Sequence, residues 1–242
     1  MRSACQLSEV KVSFPHKVVG IVGMHRSGTS CLTGSLQAAG LYLAEIHTWN
    51  PHNLKGNREN QRFVDLHDNI LAANGGSWDF PPREVKWRPE HIAAARELLA
   101  EHGSQRFFGF KDPRTLLMVN GWKTLVPDIQ FIGIFRHPNA VAQSLAKRSA
   151  KSREESLGLW YRYNIALFEE YKRRPFPILD FDQEAGELDA RISRVATALG
   201  LPGRKEGETF YTDELRNNAS TDMPGLPWRI KRLYRRLQRI SV

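Results

Sequence analysis

The chain is poor in cysteine and has no long apolar run. Its 242 residues hold two cysteines, Cys5 and Cys31. That is too few for a disulfide framework or a thiolate metal site, and it fits a reducing compartment. No apolar stretch reaches the roughly 18–20 residues that a membrane-spanning helix needs. Charges interrupt the first seventeen residues, MRSACQLSEVKVSFPHK, where a signal peptide would carry its apolar segment. The expectation is a cytoplasmic protein. Internal repeats and low-complexity segments are also missing. The net charge is +9, but the last fifteen residues, WRIKRLYRRLQRISV, supply six basic residues and no acid. The rest is only slightly basic, which argues against a nucleic-acid-binding surface.

What is present is enough for a core: 41% of residues are hydrophobic and 25% charged, in a length that suits one large domain. The organising stretch is KVVGIVGMHRSGTSCLTGSL, from Lys17 to Leu36. Val18, Val19, Ile21 and Val22 read as a buried strand, broken at Gly23 and followed by a polar turn and a helix over about 29–39 that stops at Gly40. Backbone N–H groups and a helix N-terminus gathered at one point make an anion site. Helical patterns follow over 59–73 and 90–102, a strand over Phe107–Phe110, and a helix over about 115–125. A third strand runs from Ile129 to Phe135, then helices cover 138–148 and 153–172. FPILDFD is a fourth strand and ELDARISRVATALGL a further helix. Strands alternating with helices predict an α/β, three-layer, P-loop-like fold: a central, mostly parallel sheet with helices on both faces. The expected division is a lead-in over 1–16, one domain over 17–217, and a linker with a basic helix over 218–242. Ligands of such sheets sit beyond the carboxyl ends of the strands. The 23–28 loop, Lys111-Asp112-Pro113-Arg114 and Arg136 should therefore converge.

The loop departs from a nucleoside-triphosphate loop. Gly23, Gly28 and Ser30 keep the Walker A spacing, but Thr29 stands where the lysine belongs. Its cation is Arg26 instead. Arg26-Ser27-Gly28-Thr29-Ser30 resembles the signature with which sulfotransferases using 3′-phosphoadenosine-5′-phosphosulfate (PAPS) hold the 5′-phosphosulfate. Arg136 and Ser144, in RHPNAVAQS, resemble that family's 3′-phosphate clamp, an arginine at a strand end with a serine eight residues on. Lys111-Asp112-Pro113 is similar to the Lys-Asp-Pro of the tyrosylprotein-type and bacterial branch, and the likeness extends through 159–164 to Phe210–Leu215-Arg216.

The resemblance implies PAPS as co-substrate, PAP as product and no metal. It places His25, Arg26, Ser27, Gly28, Thr29, Ser30, Arg136 and Ser144 on the donor. It makes Arg26, Glu59 and Lys111 the catalytic candidates. Arg26 would stabilise the leaving phosphate oxygen, Lys111 would face the sulfonate, and Glu59, at the start of the 59–73 helix, would be the base. Glu59 has a bland alternative there, dipole complementarity in a first helical turn; Glu45 and Asp65 are rival bases. Asp112 is expected to orient Lys111 or Arg114, and His25 and His137 to act as hydrogen-bonding groups. The 41–58 and 74–89 loops, rich in Trp, Tyr, His and Asn, suit a small-molecule, glycan or peptide acceptor. Two rivals stay open: a small-molecule P-loop kinase with Asp112 or Asp180 on magnesium, and a non-catalytic PAP or nucleotide binder. In the tail, Ile230, Leu233, Leu237 and Ile240 form a stripe that either docks on the domain or, with its arginines, meets an anionic membrane surface.

Overall fold

The computed structural model describes residues 13–49, 56–149, 151–204 and 225–242. Four parallel strands form one sheet in the order β2-β1-β3-β4: β1 Lys17–Val22, β2 Phe107–Lys111, β3 Gln130–Phe135 and β4 Ile178–Asp180. β1 lies between β2 and β3, with Val19 in register with Gly109 on one side and Gln130 on the other. The chain leaves β1 for one neighbour and later returns beside it for the other. That reversal makes a crevice at the carboxyl end of β1.

Alternating side chains build a core on each face of the sheet. On one face Val18, Val22, Phe108, Phe110, Phe131 and Phe135 pack with helices α2 (Gln61–Ala73), α3 (Pro89–Ala100), α4 (Val119–Leu125), α5 (Pro138–Ser149) and α6 (Arg153–Arg173). On the other, Val19, Ile21, Phe107, Ile132, Ile134 and Leu179 meet α1 (Thr29–Ala38) and α7 (Ala185–Leu199). Cys31 is buried on that second face. Three layers with a parallel sheet in the middle are what the alternation of strands and helices predicts.

Three boundaries differ from the sequence expectation. The helix expected from residue 59 begins at Gln61, because Asn60 is extended and its side chain accepts from Arg62 N–H at 3.0 Å, a better N-cap than Glu59. The helix expected over 115–125 is a 3₁₀ turn, Pro113–Leu117, and then α4, interrupted at Met118. The strand expected across FPILDFD is ordered as a ladder only over Ile178–Asp180. Phe210–Leu215-Arg216, the 217/218 boundary and most of the lead-in lie outside the described residues.

The basic tail is helix α8, Trp228–Ile240. Its stripe docks on the domain: Ile230, Leu233, Tyr234 and Leu237 are buried in the same core as α6, while Arg229, Arg232, Arg235 and Arg239 stay exposed. A stripe used this way is closed to lipid. No described helix is long and apolar enough to cross a membrane.

Candidate active site

The loop after β1 is shaped by two glycines. Gly28 has φ +89°, and a Cβ there would stand 2.1 Å from the Phe181 ring; at Gly23 a Cβ would meet the Ile134 carbonyl oxygen at 2.4 Å. Neither position admits a side chain. Arg26 is also left-handed, φ 66°, costly for a residue with a Cβ by about 1–3 kcal/mol. Left-handed residues alternating with ordinary ones turn successive N–H groups to one side, a backbone anion nest. Ser27 is fully buried and its Oγ has no partner among the described residues. An orphaned hydroxyl inside such a nest lacks an acceptor or donor of its own.

Arg26 donates from Nε to Ser144 Oγ at 2.8 Å, joining the two sequence motifs directly. Burial, then the like charges of Arg148 and Arg136, pull its guanidinium below the usual arginine value. Among the described residues no carboxylate pairs with it. Arg136 is itself buried, so it is no surface arginine. Its Nε lies 3.5 Å from Asp182 and its guanidinium packs over the Phe181 ring. Ser30 donates to the Asn57 carbonyl at 3.1 Å, and Thr29 is buried with its carbonyl accepting from Thr33 Oγ1 at 2.7 Å. The loop thus grips the segment that carries Glu59.

At the end of β2, Lys111 Nζ donates to Glu59 Oε1 at 2.6 Å, with their side chains only 3% and 14% exposed. Glu45 is exposed, and Asp65 is exposed and bonded to Gln61, so neither rival stands in this cluster. Because Glu59 precedes the cap of α2, dipole complementarity in a first helical turn does not account for it.

Asp112 orients Arg114 rather than Lys111. Its Oδ1 accepts from Arg114 N–H at 3.0 Å and Nη1 at 2.9 Å, and its Oδ2 accepts from His67 Nδ1 at 2.8 Å. Trp122 Nε1 donates to His67 Nε2 at 3.0 Å. Burial disfavours the Asp112 charge, yet His67 and Arg114 hold its carboxyl below the usual carboxylate range. Arg114 also donates to Asp68 at 2.6 Å. His67, Trp122, Asp68 and Asp182 were invisible as site supports in the sequence, since each is defined by a distant partner.

His25 lies between the loop after β1 and the 74–89 loop. Its ring is 4.6 Å from Trp78 and 5.7 Å, edge-on, from Tyr163, whose hydroxyl donates to the Trp78 carbonyl at 2.7 Å. Burial first, then Arg114, pull its imidazole down to about 3, so it is neutral at physiological pH. His137 donates its backbone N–H to Asp182 and packs edge-on against Tyr234. Among the described residues no group of three or more His, Cys, Asp or Glu side chains could hold a metal ion. A separate cleft of about 250 Å³ opens beside the opposite ends of β3 and β4, lined by Gln130, Phe176 and Pro177 among others.

A parallel sheet with a cationic, glycine-bounded loop at its central strand defines a P-loop-like α/β protein. Residues 19–205 match the model of the Sulfotransferase family, and the chain belongs to that family. No curated protein matches it. Among solved structures it is similar to the sulfotransferase domain of the Synechococcus PCC 7002 olefin synthase: TM-score 0.55, 15% identity, covering 93% of this chain and 96% of that one. It is also similar to the sulfotransferase STF1 of Mycobacterium tuberculosis H37Rv: TM-score 0.50, 15% identity, covering 94% of this chain and 78% of that one. At such identities these likenesses speak to the fold.

Proposed function

We propose that the chain transfers the sulfuryl group of PAPS to a hydroxyl or amine acceptor and releases PAP. The observation that carries the donor assignment is the uncompensated charge at the loop. Arg26 is half-buried beside Arg136 and Arg148 with no described carboxylate of its own, so an anion is the missing partner. Ser27 supplies an unused hydroxyl beside it. The 5′-phosphosulfate fits His25–Ser30, and the 3′-phosphate fits Arg136 and Ser144.

In the reaction the acceptor oxygen or nitrogen attacks sulfur in line. The bond from sulfur to the 5′-phosphate oxygen breaks, its electron pair leaves with PAP, and the acceptor proton passes to Glu59. Arg26 stabilises the charge on the leaving oxygen through its own charge and hydrogen bonds. Lys111 faces the sulfonate. The acceptor is a small molecule, glycan or peptide held between the 41–58 and 74–89 loops.

The kinase reading is disfavoured by its own metal candidates. Both Asp112 oxygens are taken by His67 and Arg114, and an Asp180 oxygen accepts from the Asp182 N–H at 3.0 Å. A pure binder has no use for a buried base and lysine at the same point. A melting screen with PAP, PAPS, ATP–magnesium and ADP tests the donor. At a hundredfold excess over Kd, PAP and PAPS should each add about 2.7 kcal/mol of stability. A response to ATP–magnesium without one to PAP refutes the assignment. Glu59→Gln should keep PAP binding while turnover falls by about 10²–10⁴-fold; normal turnover removes Glu59 as base.

A further inference from the structure

We infer that Lys111 is a donor-operated gate on Glu59: in the free enzyme it holds the carboxylate, and the PAPS sulfonate must draw it away before Glu59 can take an acceptor proton. The inference rests on the PAPS reading above and adds an order of events to it.

The geometry is specific. The Lys111–Glu59 bond is 2.6 Å long and both side chains are largely withdrawn from water, so solvent screens the pair weakly. An oxygen that accepts from a buried ammonium is occupied, and its charge is neutralised at the position where the acceptor proton must arrive. Among the described residues Glu59 is the carboxylate paired with the lysine. Asp112, next along the chain, is saturated by His67 and Arg114, and Asp68 is taken by Arg114.

Glu59 is the fixed member of the pair. Its carbonyl accepts from His47 N–H at 2.9 Å, and Arg58 N–H returns a bond to the His47 carbonyl at 3.0 Å. Two residues before Glu59, the Asn57 carbonyl accepts from Ser30 on the donor loop. One residue after it, Asn60 caps α2. The backbone around Glu59 is therefore tied to the donor loop, to the 41–49 segment and to a helix end. Lys111 hangs from the last residue of β2 on a four-carbon chain with rotatable bonds, so the ammonium is the part able to change partners. A sulfonate over the loop offers it a second anion. Once it moves, Glu59 keeps its place and regains Oε1 with a charge no longer neutralised by the ammonium. The site is then basic only when the donor is present, which makes productive binding ordered, donor first.

The discriminating measurement is the preference for PAPS over PAP, because PAP lacks the sulfonate that must win the lysine. Kd values for both are measured by calorimetry, without acceptor, in the wild type, Glu59→Gln, Lys111→Met and the double variant. Folding is controlled internally, since PAP reports the same site. In Glu59→Gln the lysine no longer has to leave an ion partner, so PAPS should bind about tenfold tighter while PAP is unchanged, the scale of one charge-assisted hydrogen bond. In the Lys111→Met background the same substitution should leave the preference where it was, because the gate needs both residues. An unchanged preference in Glu59→Gln overturns the gate. So does an equal gain with the lysine already removed, which would mean bare repulsion between Glu59 and the sulfonate. A wild type that binds neither nucleotide refutes the donor reading itself, a distinct result.

Discussion

Asp112→Asn replaces one atom in a buried chain, and the hydrogen-bond directions dictate that the chain cannot absorb it. The Trp122 indole N–H only donates, so His67 Nε2 must accept it, and the imidazole hydrogen sits on Nδ1, donated to Asp112. The other Asp112 oxygen serves the Arg114 backbone and guanidinium. An asparagine would keep its carbonyl on Arg114 and turn its amide N–H₂ toward His67. Two donors would then face a neutral ring with one acceptor nitrogen. Leaving one buried donor unsatisfied costs about 1–3 kcal/mol. Adding the lost charge opposite Arg114, the whole change falls near the roughly 3–5 kcal/mol of breaking a buried pair. The Asp112 carboxyl is held below its ordinary range, so its contribution is complete at neutral pH and is lost only as pH falls through that depressed value.

The assay is urea unfolding at pH 7, read as a lower midpoint at constant slope. The tautomer argument has its own signature. Trp122→Phe removes the competing donor, so the ring can carry its hydrogen on Nε2 and accept from the asparagine amide. The double variant should therefore be more stable than the sum of the two single losses, by about 1–2 kcal/mol, within the usual range for coupled neighbours. Strict additivity, or a near-native Asp112→Asn, refutes the chain of directions.

Other outcomes follow from neighbouring groups. The Asp180 carboxyl is raised by burial, then by the Asp182 charge among its opposing causes, to about 6. The folded state holds this proton more tightly than the unfolded chain, so stability falls as pH rises between about 3.9 and that value. Asp180→Asn should gain on the wild type at pH 8, by at most about 3 kcal/mol, with no gain below pH 4; melting at both pH values checks the sign. Arg26→Lys loses the bond to Ser144 and the guanidinium fork, and turnover should fall at least about tenfold; unchanged turnover removes the need for the fork. Leu237 is fully buried, so Leu237→Ala should cost about 2–5 kcal/mol in urea. Because the α8 stripe is already docked, neutral vesicles should not float the protein, and capture by them contradicts that docking.

Local pattern made the frame legible. The β-branched run before Gly23, the strand ends at Lys111 and Arg136, and the helical periodicity of 153–172 each depend on residues a few positions apart. These all appear where the pattern places them. The convergence of loop, Lys111 and Arg136 was also readable, since a parallel sheet forces its carboxyl ends together. What resisted reading was partnership at long range. Lys111 meets Glu59 across 52 positions, His67 meets Asp112 across 45, and Trp122 meets His67 across 55. No spacing rule encodes such pairs; only packing does. The start of α2 failed for a different reason. Glu59 and Asn60 both have acidic or amide side chains suited to a helix start, and choosing between them took the extended backbone of Asn60.

The C-terminal helix shows how far the site's support reaches. Arg136 leans on Asp182, which also accepts from His137 N–H, and Asp182 N–H donates to Asp180 at 3.0 Å. Asp180 in turn is bonded to Gln238 of α8, and Tyr234 packs edge-on to His137 and Phe135. Tyr234 is buried against these acids, and its phenol is raised above its ordinary value by that burial. So the arginine assigned to the 3′-phosphate is braced through two carboxylates by a helix whose apolar stripe the sequence leaves open between docking on the domain and a membrane surface. A buried arginine needs a counter-charge while no anion is bound, and Asp182 supplies one at 3.5 Å. That distance is longer than the close bonds made by Lys111 or Arg114. The arrangement keeps Arg136 folded in just past the end of β3, beside Asp182 and the Phe181 ring. Weakening the α8 contact should therefore loosen nucleotide binding before it touches the chemistry at Glu59.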